Sequence, residues 1–403
     1  MSTNIGFDPE LYGSEELGFR ESLRQDLKIE LVPYVEEIEH GETEIWDVIR
    51  KLAGKGYMGI LYPPEVGGLG KSFMEFMLAC EELSALSLAV DMSMTASSYG
   101  FGALAGNRNP EKYLKPLVEG EKIGAFCYTE PEAGSDLGRM QATAVKDGDG
   151  YVINAEKRFI TNGSIADYML VYTRNGAFVV EADREGFTVK KEYKLMGLHG
   201  LHLGHLLFNR VWVPQENAIF YVEETTDKKG REDKERRAPA TDMFGLMLAP
   251  ERSYIAAEAL GVARAAFQTA LKYSTERVQF KKPICEFEAI SFKLADMATA
   301  LRAMRLMVVQ TVREFQSDMF KAAKRAAMTK LFCVTQGFDI CNEALQVLGG
   351  IGYTTDYPVE RYVRDIRLLG IGGGTNEMMR YVIQRDLYKE FSEAEEGSGE
   401  SQA

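Results

Sequence analysis

The chain lacks the features that mark membrane-spanning, secreted and nucleic-acid-binding proteins. No apolar run is long enough to cross a bilayer, and the first residues, MSTNIGFDPE, do not have the pattern of a signal peptide. Acidic residues outnumber basic ones by 60 to 47, and the net charge of −13 argues against nucleic acid or an anionic membrane as the main partner. We therefore expect a cytoplasmic protein that binds neither.

Cysteine and histidine are scarce. The five cysteines are odd in number and lack metal or redox spacing, so mostly buried thiols in a reducing compartment fit this usage. Three of the four histidines, His199, His202 and His205, recur at three-residue spacing, which raises the question of a metal site. No cysteine or carboxylate lies next to them, and the spacing fits no standard helix motif. We therefore expect no metal.

Hydrophobic periodicity divides the 403 residues into three regions. Apolar residues recur at three- and four-residue spacing from about residue 14 to 120, short β-rich segments and turns follow from about 123, and long helical patterns return from about 240. A mixed-charge run at 224–237 is typical of a solvated loop. The sequence thus predicts an α+β fold with a helical domain at 1–122, a β domain at 123–238, a helical bundle at 239–390 and a disordered tail at 391–403.

A glycine-rich stretch near the C-terminus is a candidate ligand-binding segment. Residues 370–375, GIGGGT, precede a helical pattern that starts at Asn376. Glycines let the backbone approach a ligand closely and leave N–H groups free to donate. Thr375 or Asn376 would cap the next helix, whose positive end favours an anion. By itself, however, such a stretch is more often a plain turn between helices.

Four further segments accompany the glycine stretch in order. They are FCYTEPEAGSD at 126–136, KRFITNG at 157–163, RVQF at 277–280 and QVLGGIG at 346–352. Each is weak alone, but together they resemble the acyl-CoA dehydrogenase family, from about residue 19 to 390. The resemblance implies an N-terminal helical domain, a middle β-barrel and a C-terminal four-helix bundle. It also implies bound FAD, an acyl-CoA substrate, an electron-transfer flavoprotein as electron acceptor, and a homotetramer.

The resemblance also carries residue roles onto this sequence. Ser135 would contact the CoA arm, and Arg252 stands at the position of the family's CoA-side arginine. The flavin-side wall would consist of Phe126, Tyr128, Thr129, Phe159 and Thr161, with Thr161 near the reactive flavin nitrogen. Contacts to the FAD of a neighbouring subunit would come from Arg277, Phe280, Gln346, Gly349 and Gly350, and Thr375 and Glu377 would lie near the flavin.

Some positions depart from the family pattern. Gln279 and Glu377 replace a usual small hydroxyl residue and a usual glutamine. The loop at 199–205, which carries the three histidines, replaces a usual sequence of arginine, serine and threonine. We expect these histidines at the edge of the barrel or along CoA.

The catalytic base is the largest departure. The family's chemistry removes a proton beside the thioester while flavin takes a hydride, and burial in an apolar pocket makes a carboxylate more basic. Many members carry the glutamate immediately before the position of Gly374, where this chain has Gly373. The N–H of Gly373 can polarise the thioester oxygen, but Gly373 cannot act as a base. Glu251 matches the position where a minority of the family carries its glutamate. Alternatively, it is a first-turn glutamate after Pro250 that favours the helix dipole.

Asp91 is the second candidate base. It lies in LSLAVDMSMTA at 86–96, which resembles the wall of the acyl pocket, although it could also cap a helix that starts at Met92. An acid there, with no side chain at Gly373, resembles the alicyclic acyl-CoA dehydrogenases of anaerobic aromatic metabolism, which act on cyclohex-1-ene-1-carboxyl-CoA. We therefore expect Asp91 to act on an alicyclic acyl-CoA. The alternatives are 1,2-dehydrogenation of a branched or carnitine-like acyl-CoA by Glu251, and a non-catalytic flavin-binding assembly protein.

Overall fold

The computed structural model describes residues 5–106, 108–222 and 248–400. The mixed-charge run at 224–237 lies outside these residues. The chain divides into two compact units. One consists of Met1–Leu23, Met77–Leu88 and Arg236–Ala403, and the other of Arg24–Phe76 and Ala89–Glu235.

The N-terminal region is helical, as its apolar spacing predicts. A run of π-helical turns, Ala96–Gly106, follows the fifth helix directly. The helices are α1 (Ser14–Glu30), α2 (Val35–His40), α3 (Ile45–Ala53), α4 (Phe73–Ser84), α5 (Leu88–Thr95) and α6 (Lys115–Val118).

The middle region forms two four-stranded sheets within residues 123–222. One sheet has the strand order β1-β4-β5-β8 and the other β2-β3-β7-β6. Tyr151 of β3 packs on Phe178 of β5 with ring centroids 5.0 Å apart, so the two sheets share an aromatic core. The strands are β1 (Gly124–Cys127), β2 (Thr143–Asp147), β3 (Gly150–Thr161), β4 (Tyr168–Thr173), β5 (Gly176–Glu181), β6 (Phe187–Glu192), β7 (Leu203–Pro214) and β8 (Ala218–Tyr221).

The C-terminal region contains the long helices of the predicted bundle. Alanines at three- and four-residue spacing, such as Ala256, Ala259 and Ala263, are buried along the first of them and allow neighbouring helices to approach closely. The helices are α7 (Ala249–Glu276), α8 (Glu288–Ser317), α9 (Met319–Leu348), α10 (Val359–Ile366) and α11 (Asn376–Glu400). A short hairpin of β9 (Val278–Gln279) and β10 (Lys282–Pro283) joins α7 to α8. The predicted α+β class is confirmed.

The helices of residues 1–122 are divided between the two compact units. The second half of α4 packs directly on α7, where a Cβ added to Gly261 would lie 2.3 Å from the carbonyl oxygen of Glu81. The Glu81 carboxylate also accepts hydrogen bonds of 2.6 Å from both Arg264 and Arg305. Buried ion pairs of this kind link residues far apart in sequence, and hydrophobic periodicity gives no sign of them.

The C-terminal tail also differs from its prediction. Helix α11 continues to Glu400, so the tail predicted to be disordered from residue 391 is helical up to that point. Its acidic, low-hydrophobicity composition indicated disorder, but Glu and Ala are strong helix formers that can extend an existing helix. Within the described ranges, no helix combines the length and apolar character needed to cross a bilayer.

Candidate active site

Glu251 lies beside the glycine-rich stretch at 370–375, called the glycine turn below. It is in the first turn of α7, which starts at Ala249 with Pro250 next, a position where proline needs no N–H partner. A Cβ built on Gly373 would be 3.4 Å from Oε1 of Glu251 and 2.3 Å from Cδ1 of Ile255. Gly373 also has a φ of +60°, in the left-handed region that favours glycine. The Glu251 carboxylate thus lies next to the space into which a side chain at 373 would extend.

Burial makes Glu251 a stronger base. Desolvation raises the pKa of its carboxyl group, while the positive charges of Arg252 and Lys330 pull the pKa back down. The residue as a whole is half-buried. A carboxylate with a raised pKa meets one requirement of a general base. Arg252, the predicted CoA-side arginine, is 7% exposed, and burial lowers the pKa of its guanidinium group.

Lys330 is a functional candidate that the sequence alone does not predict. Its ammonium group donates a 3.0 Å hydrogen bond to the carbonyl oxygen of Gly372 and a second one to that of Gly374. The side chain is fully buried, and desolvation lowers its pKa to about 8 although Glu251 opposes the shift. The sequence carries one sign of its importance: Lys330 interrupts the apolar face of α9. That face consists of Ala326, Ala327, Cys333 and Val334.

Thr375 is the N-cap of α11. Its hydroxyl oxygen accepts a hydrogen bond of 3.2 Å from the backbone N–H of Met378, so of the two predicted caps the structure selects Thr375. Glu377 lies in the first helical turn with its side chain 79% exposed. A backbone hydrogen bond and the Thr375 hydroxyl lower the pKa of its carboxyl group. The roles of both residues near the flavin stay predictions.

The residues predicted to contact the FAD of a neighbouring subunit are all exposed. Phe280, in the turn of the β9–β10 hairpin, is 89% exposed and has a φ of +49°. An aromatic ring held in solvent by a strained backbone suits a surface that is covered by another molecule. The other exposed residues of this group are Arg277, Gln346, Gly349 and Gly350.

The predicted flavin-side wall begins with aromatic residues at the end of β1. The rings of Phe126 and Tyr128 are parallel at a centroid distance of 5.8 Å, and Tyr172 of β4 packs against both. The backbone N–H of Arg158 donates to the carbonyl oxygen of Thr129 at 2.8 Å, which ties this segment to β3. The structure therefore brings Phe126, Tyr128 and Thr129 together with β3.

Phe159 and Thr161 lie at the irregular end of β3. Phe159 is 57% exposed with a φ of +58°, at a shift in the pairing of β3 with β7. Thr161 precedes Asn162, whose side-chain amide donates to the carbonyl oxygen of Ser93 at 2.9 Å. A bulge commonly redirects a side chain toward a ligand, and an exposed aromatic ring is suited to contact a planar ring system. This end of β3 therefore fits the predicted flavin contact.

Asp91 lies inside α5 and not at its N-cap, so the capping alternative is wrong. The side chain is 1% exposed and is flanked in the helix by Val90 and Met94, which are also buried. Burying a carboxyl group is costly, so such a residue commonly serves a functional or electrostatic purpose. Its role as a base stays a prediction. Ser135, the predicted CoA contact, is exposed after the turn at 130–133.

The three histidines pair with glutamates. Nδ1 of His199 lies 3.0 Å from Glu39 and Nε2 of His205 lies 2.7 Å from Glu156. His202 lies between Glu44 and Glu192, which raise the pKa of its imidazole against the opposing effect of burial. Within the part of the chain that the structure describes, no group of three or more His, Cys, Asp or Glu side chains could hold a metal.

Family models match all three regions of the chain. The N-terminal domain of acyl-CoA dehydrogenase matches residues 13–121, the middle domain 125–211 and the C-terminal domain 242–388. Benzylmalonyl-CoA dehydrogenase of Aromatoleum aromaticum is 40% identical over 84% of this chain and 89% of that protein. Caffeyl-CoA reductase-Etf complex subunit CarC of Acetobacterium woodii is 35% identical over 92% of this chain and 96% of that protein.

The fold agrees with these matches. The structure of an acyl-CoA dehydrogenase complexed with FAD from Bacillus anthracis is similar with a TM-score of 0.84 at 28% identity, covering 96% of this chain and 69% of that chain. One explanation accounts for the order of the domains, the segments at 126–136 and 157–163, and the glycine turn beside a half-buried glutamate. The chain belongs to the acyl-CoA dehydrogenase family.

Proposed function

We propose that this enzyme dehydrogenates a ring-bearing acyl-CoA between the two carbons next to the thioester, with Glu251 as the base. As a member of its family it is an oxidoreductase that acts on CH–CH groups of CoA thioesters, and its cofactor is FAD. One observation supports Glu251 above all: its carboxylate oxygen lies 3.4 Å from the point where a side chain at position 373 would begin. A carboxylate attached at position 251 can therefore replace one attached at position 373.

The residues around Glu251 suit proton removal. The raised pKa of its carboxyl group lets it accept a proton from carbon, and the N–H of Gly373 donates to the thioester oxygen, where negative charge develops. FAD supplies the acceptor for the hydride that leaves the neighbouring carbon. The exposed ring of Phe159 and the cluster of Phe126 and Tyr128 offer the aromatic surface that FAD requires.

Two of the relatives support a ring in the acyl group. The names benzylmalonyl-CoA dehydrogenase and caffeyl-CoA reductase both describe acyl groups that carry an aromatic ring. An alicyclic ring of the cyclohexene-carboxyl type is the second candidate, and the observation that favours it is the buried carboxyl group of Asp91, which would then act at a ring carbon. The two candidates differ in which acid removes the decisive proton.

Single substitutions separate the candidates. Glu251→Gln and Asp91→Asn are mixed anaerobically with aryl-bearing, cyclohexene-carboxyl and branched acyl-CoAs, and loss of the oxidised flavin absorbance is followed together with product mass. We expect Glu251→Gln to slow flavin reduction by the aryl-bearing thioester on the order of 10²- to 10⁴-fold. Asp91→Asn should keep the unmodified rate of flavin reduction by the same thioester. The reverse pattern, seen with the cyclohexene thioester, would establish the alicyclic reaction. Absence of flavin reduction by any thioester in the unmodified protein would favour a non-catalytic assembly protein.

The proposed partners are an electron-transfer flavoprotein and further copies of this chain. The relative from Acetobacterium woodii is named as a subunit of a complex with Etf, which supports an electron-transfer flavoprotein as the acceptor here. The exposed Phe280 hairpin supports a homotetramer in which neighbouring subunits cover it. We propose a cytoplasmic location, because a reducing compartment suits cysteines that are mostly buried free thiols. Sedimentation of the FAD-loaded enzyme measures the oligomeric state directly.

A further inference from the structure

Lys330 connects the glycine turn to the buried face of α9. Its Nζ atom donates to the carbonyl oxygens of Gly372 and Gly374, which flank Gly373. The side chain is completely buried. A buried ammonium group must satisfy its N–H donors, so these two hydrogen bonds are costly to lose. The turn is consequently held from one side by a single cation.

The hydrogen bond to Gly372 sets the direction of the next N–H. In a trans peptide the C=O of one residue and the N–H of the following residue point in opposite directions. Because Lys330 holds the carbonyl of Gly372, the N–H of Gly373 points away from the ammonium group. Gly373 and Gly374, with φ values of +60° and +89°, lack the side chains that would otherwise restrict the turn.

The same ammonium group interacts electrostatically with the proposed base. Lys330 lowers the pKa of the Glu251 carboxyl group, and Glu251 in turn raises that of Lys330. The other charged groups that act on Lys330 are Arg252, Glu258 and Glu377. Lys330 and Arg252 are the two cations that lower the pKa of Glu251. If the charge of Lys330 is removed, Arg252 remains.

We propose that Lys330 is a positioning residue for the dehydrogenation: it orients the Gly373 N–H toward the thioester oxygen and supplies a positive charge beside Glu251. This inference rests on the proposed function, because it assumes that Glu251 is the base and that the Gly373 N–H is the donor. Lys330 itself does not touch the substrate. Its effect is transmitted through the backbone of the turn and through its charge.

The experiment uses the FAD-loaded enzyme and two readouts. The first is binding of acetoacetyl-CoA, a 3-oxoacyl thioester that ionises to an enolate, followed by the enolate absorbance in a pH titration. The second is the pH profile of kcat/KM for the best thioester of the substrate panel. The variants are Lys330→Met, without charge or donor, and Lys330→Arg, which keeps the charge. The control is Lys324→Met on the same helix, where the half-buried lysine pairs with the exposed Glu390 and not with the glycine turn.

We expect Lys330→Met to reduce kcat/KM on the order of 100-fold, because a small displacement of a group that contacts the reacting atoms can cost about that much. The apparent pKa of bound acetoacetyl-CoA should rise, and the acidic limb of the kcat/KM profile should move to higher pH. Lys330→Arg should keep the acidic limb in place. Lys324→Met should change neither readout.

Two results overturn the inference. Either Lys330→Met leaves both the enolate titration and the acidic limb unchanged, or Lys330→Arg shifts the acidic limb as far as Lys330→Met does. If Lys330→Met does not fold, Lys330→Gln takes its place, with a donor but no charge, and must still move the acidic limb. A Glu251→Gln enzyme with undiminished flavin reduction contradicts the proposed function itself. Loss of reduction in Glu251→Gln beside an unaffected Lys330→Met contradicts the inference about Lys330 alone.

Discussion

The side chain of Ile255 leaves no room for a side chain at Gly373: a Cβ on Gly373 would come 2.3 Å from Cδ1 of Ile255. Helix α7 thus presents two side chains to the glycine turn, Ile255 and, one turn earlier, Glu251. Both occupy space that a side chain at 373 would need. The packing against α7 therefore requires glycine at position 373, and the same glycine means that this position carries no acid.

Gly373→Ala should damage both stability and activity. The added methyl group would clash with Ile255, and the alanine would have to adopt a φ of +60°. We therefore expect a loss of about 1–3 kcal/mol in unfolding free energy and a lower kcat. Gly372→Ala is the matched control, since the nearest atom to its Cβ, the carbonyl oxygen of Leu368, is 3.8 Å away. Denaturant unfolding and flavin-reduction rates test this, and equal effects of the two substitutions would count against the packing argument.

Glu251→Gln should stabilise the protein at neutral pH although it slows turnover. Burial raises the pKa of this carboxyl group above its ordinary value of 4.5, so the folded protein favours the protonated form. The stability from this preference is full below the unfolded pKa and is lost as pH rises through the folded pKa. Glutamine, which never ionises, should therefore raise Tm at pH 8 and have little effect near pH 4. Thermal melts across this range are the measurement, and a lower Tm for Glu251→Gln at pH 8 would refute the prediction.

Glu81→Gln should be strongly destabilising. Arg264 and Arg305 surround this buried carboxylate and lower its pKa to about 2 despite the opposing effect of burial. Removing the charge of Glu81 takes a shared anion from two buried guanidinium groups, at a cost of about 3–5 kcal/mol. Arg264 then keeps its ion pair with Glu82, and Arg305 keeps Asp8 at 3.4 Å.

Because the folded pKa of Glu81 is lowered, its contribution is present above the unfolded pKa and is lost as pH falls toward about 2. The control is Asp47→Asn, which breaks an exposed pair with Arg50 and should cost less than about 1 kcal/mol. Denaturant unfolding at pH 7 and pH 3 compares them. Similar losses for both variants at pH 7 would be inconsistent with a buried cluster.

His202→Gln should make the protein less stable in mildly acidic solution. Glu44 and Glu192 raise the pKa of His202 from 6.5, so its stabilising charge is present below the unfolded pKa and is lost as pH rises through the folded pKa. We expect a loss of about 1 kcal/mol at pH 6 that disappears toward pH 9. Chelators should not change the melting of either protein, and a melting temperature that falls on chelation would point to a metal instead.

Several features of the site follow from local sequence. The glycine stretch and the Thr375 cap depend on conformations that glycine and threonine prefer within a few residues, so they can be predicted without tertiary contacts. The match at Glu251 was likewise visible in the first turn of a helix after Pro250. Lys330 was harder to recognise, because its partners, two backbone carbonyls more than 40 residues away, leave no pattern in the side chains.

The α+β class, the order of helices and strands, and the family were determined by the sequence alone, because they depend on periodicity and on short motifs that act locally. Only the tertiary structure decided that α4 is divided between units, that Lys330 holds the glycine turn and that Glu251 lies beside Gly373. These relationships arise when distant segments exclude water together. Burial then sets the pKa values and hydrogen bonds, and it depends on the surroundings in space and not on neighbours in the chain.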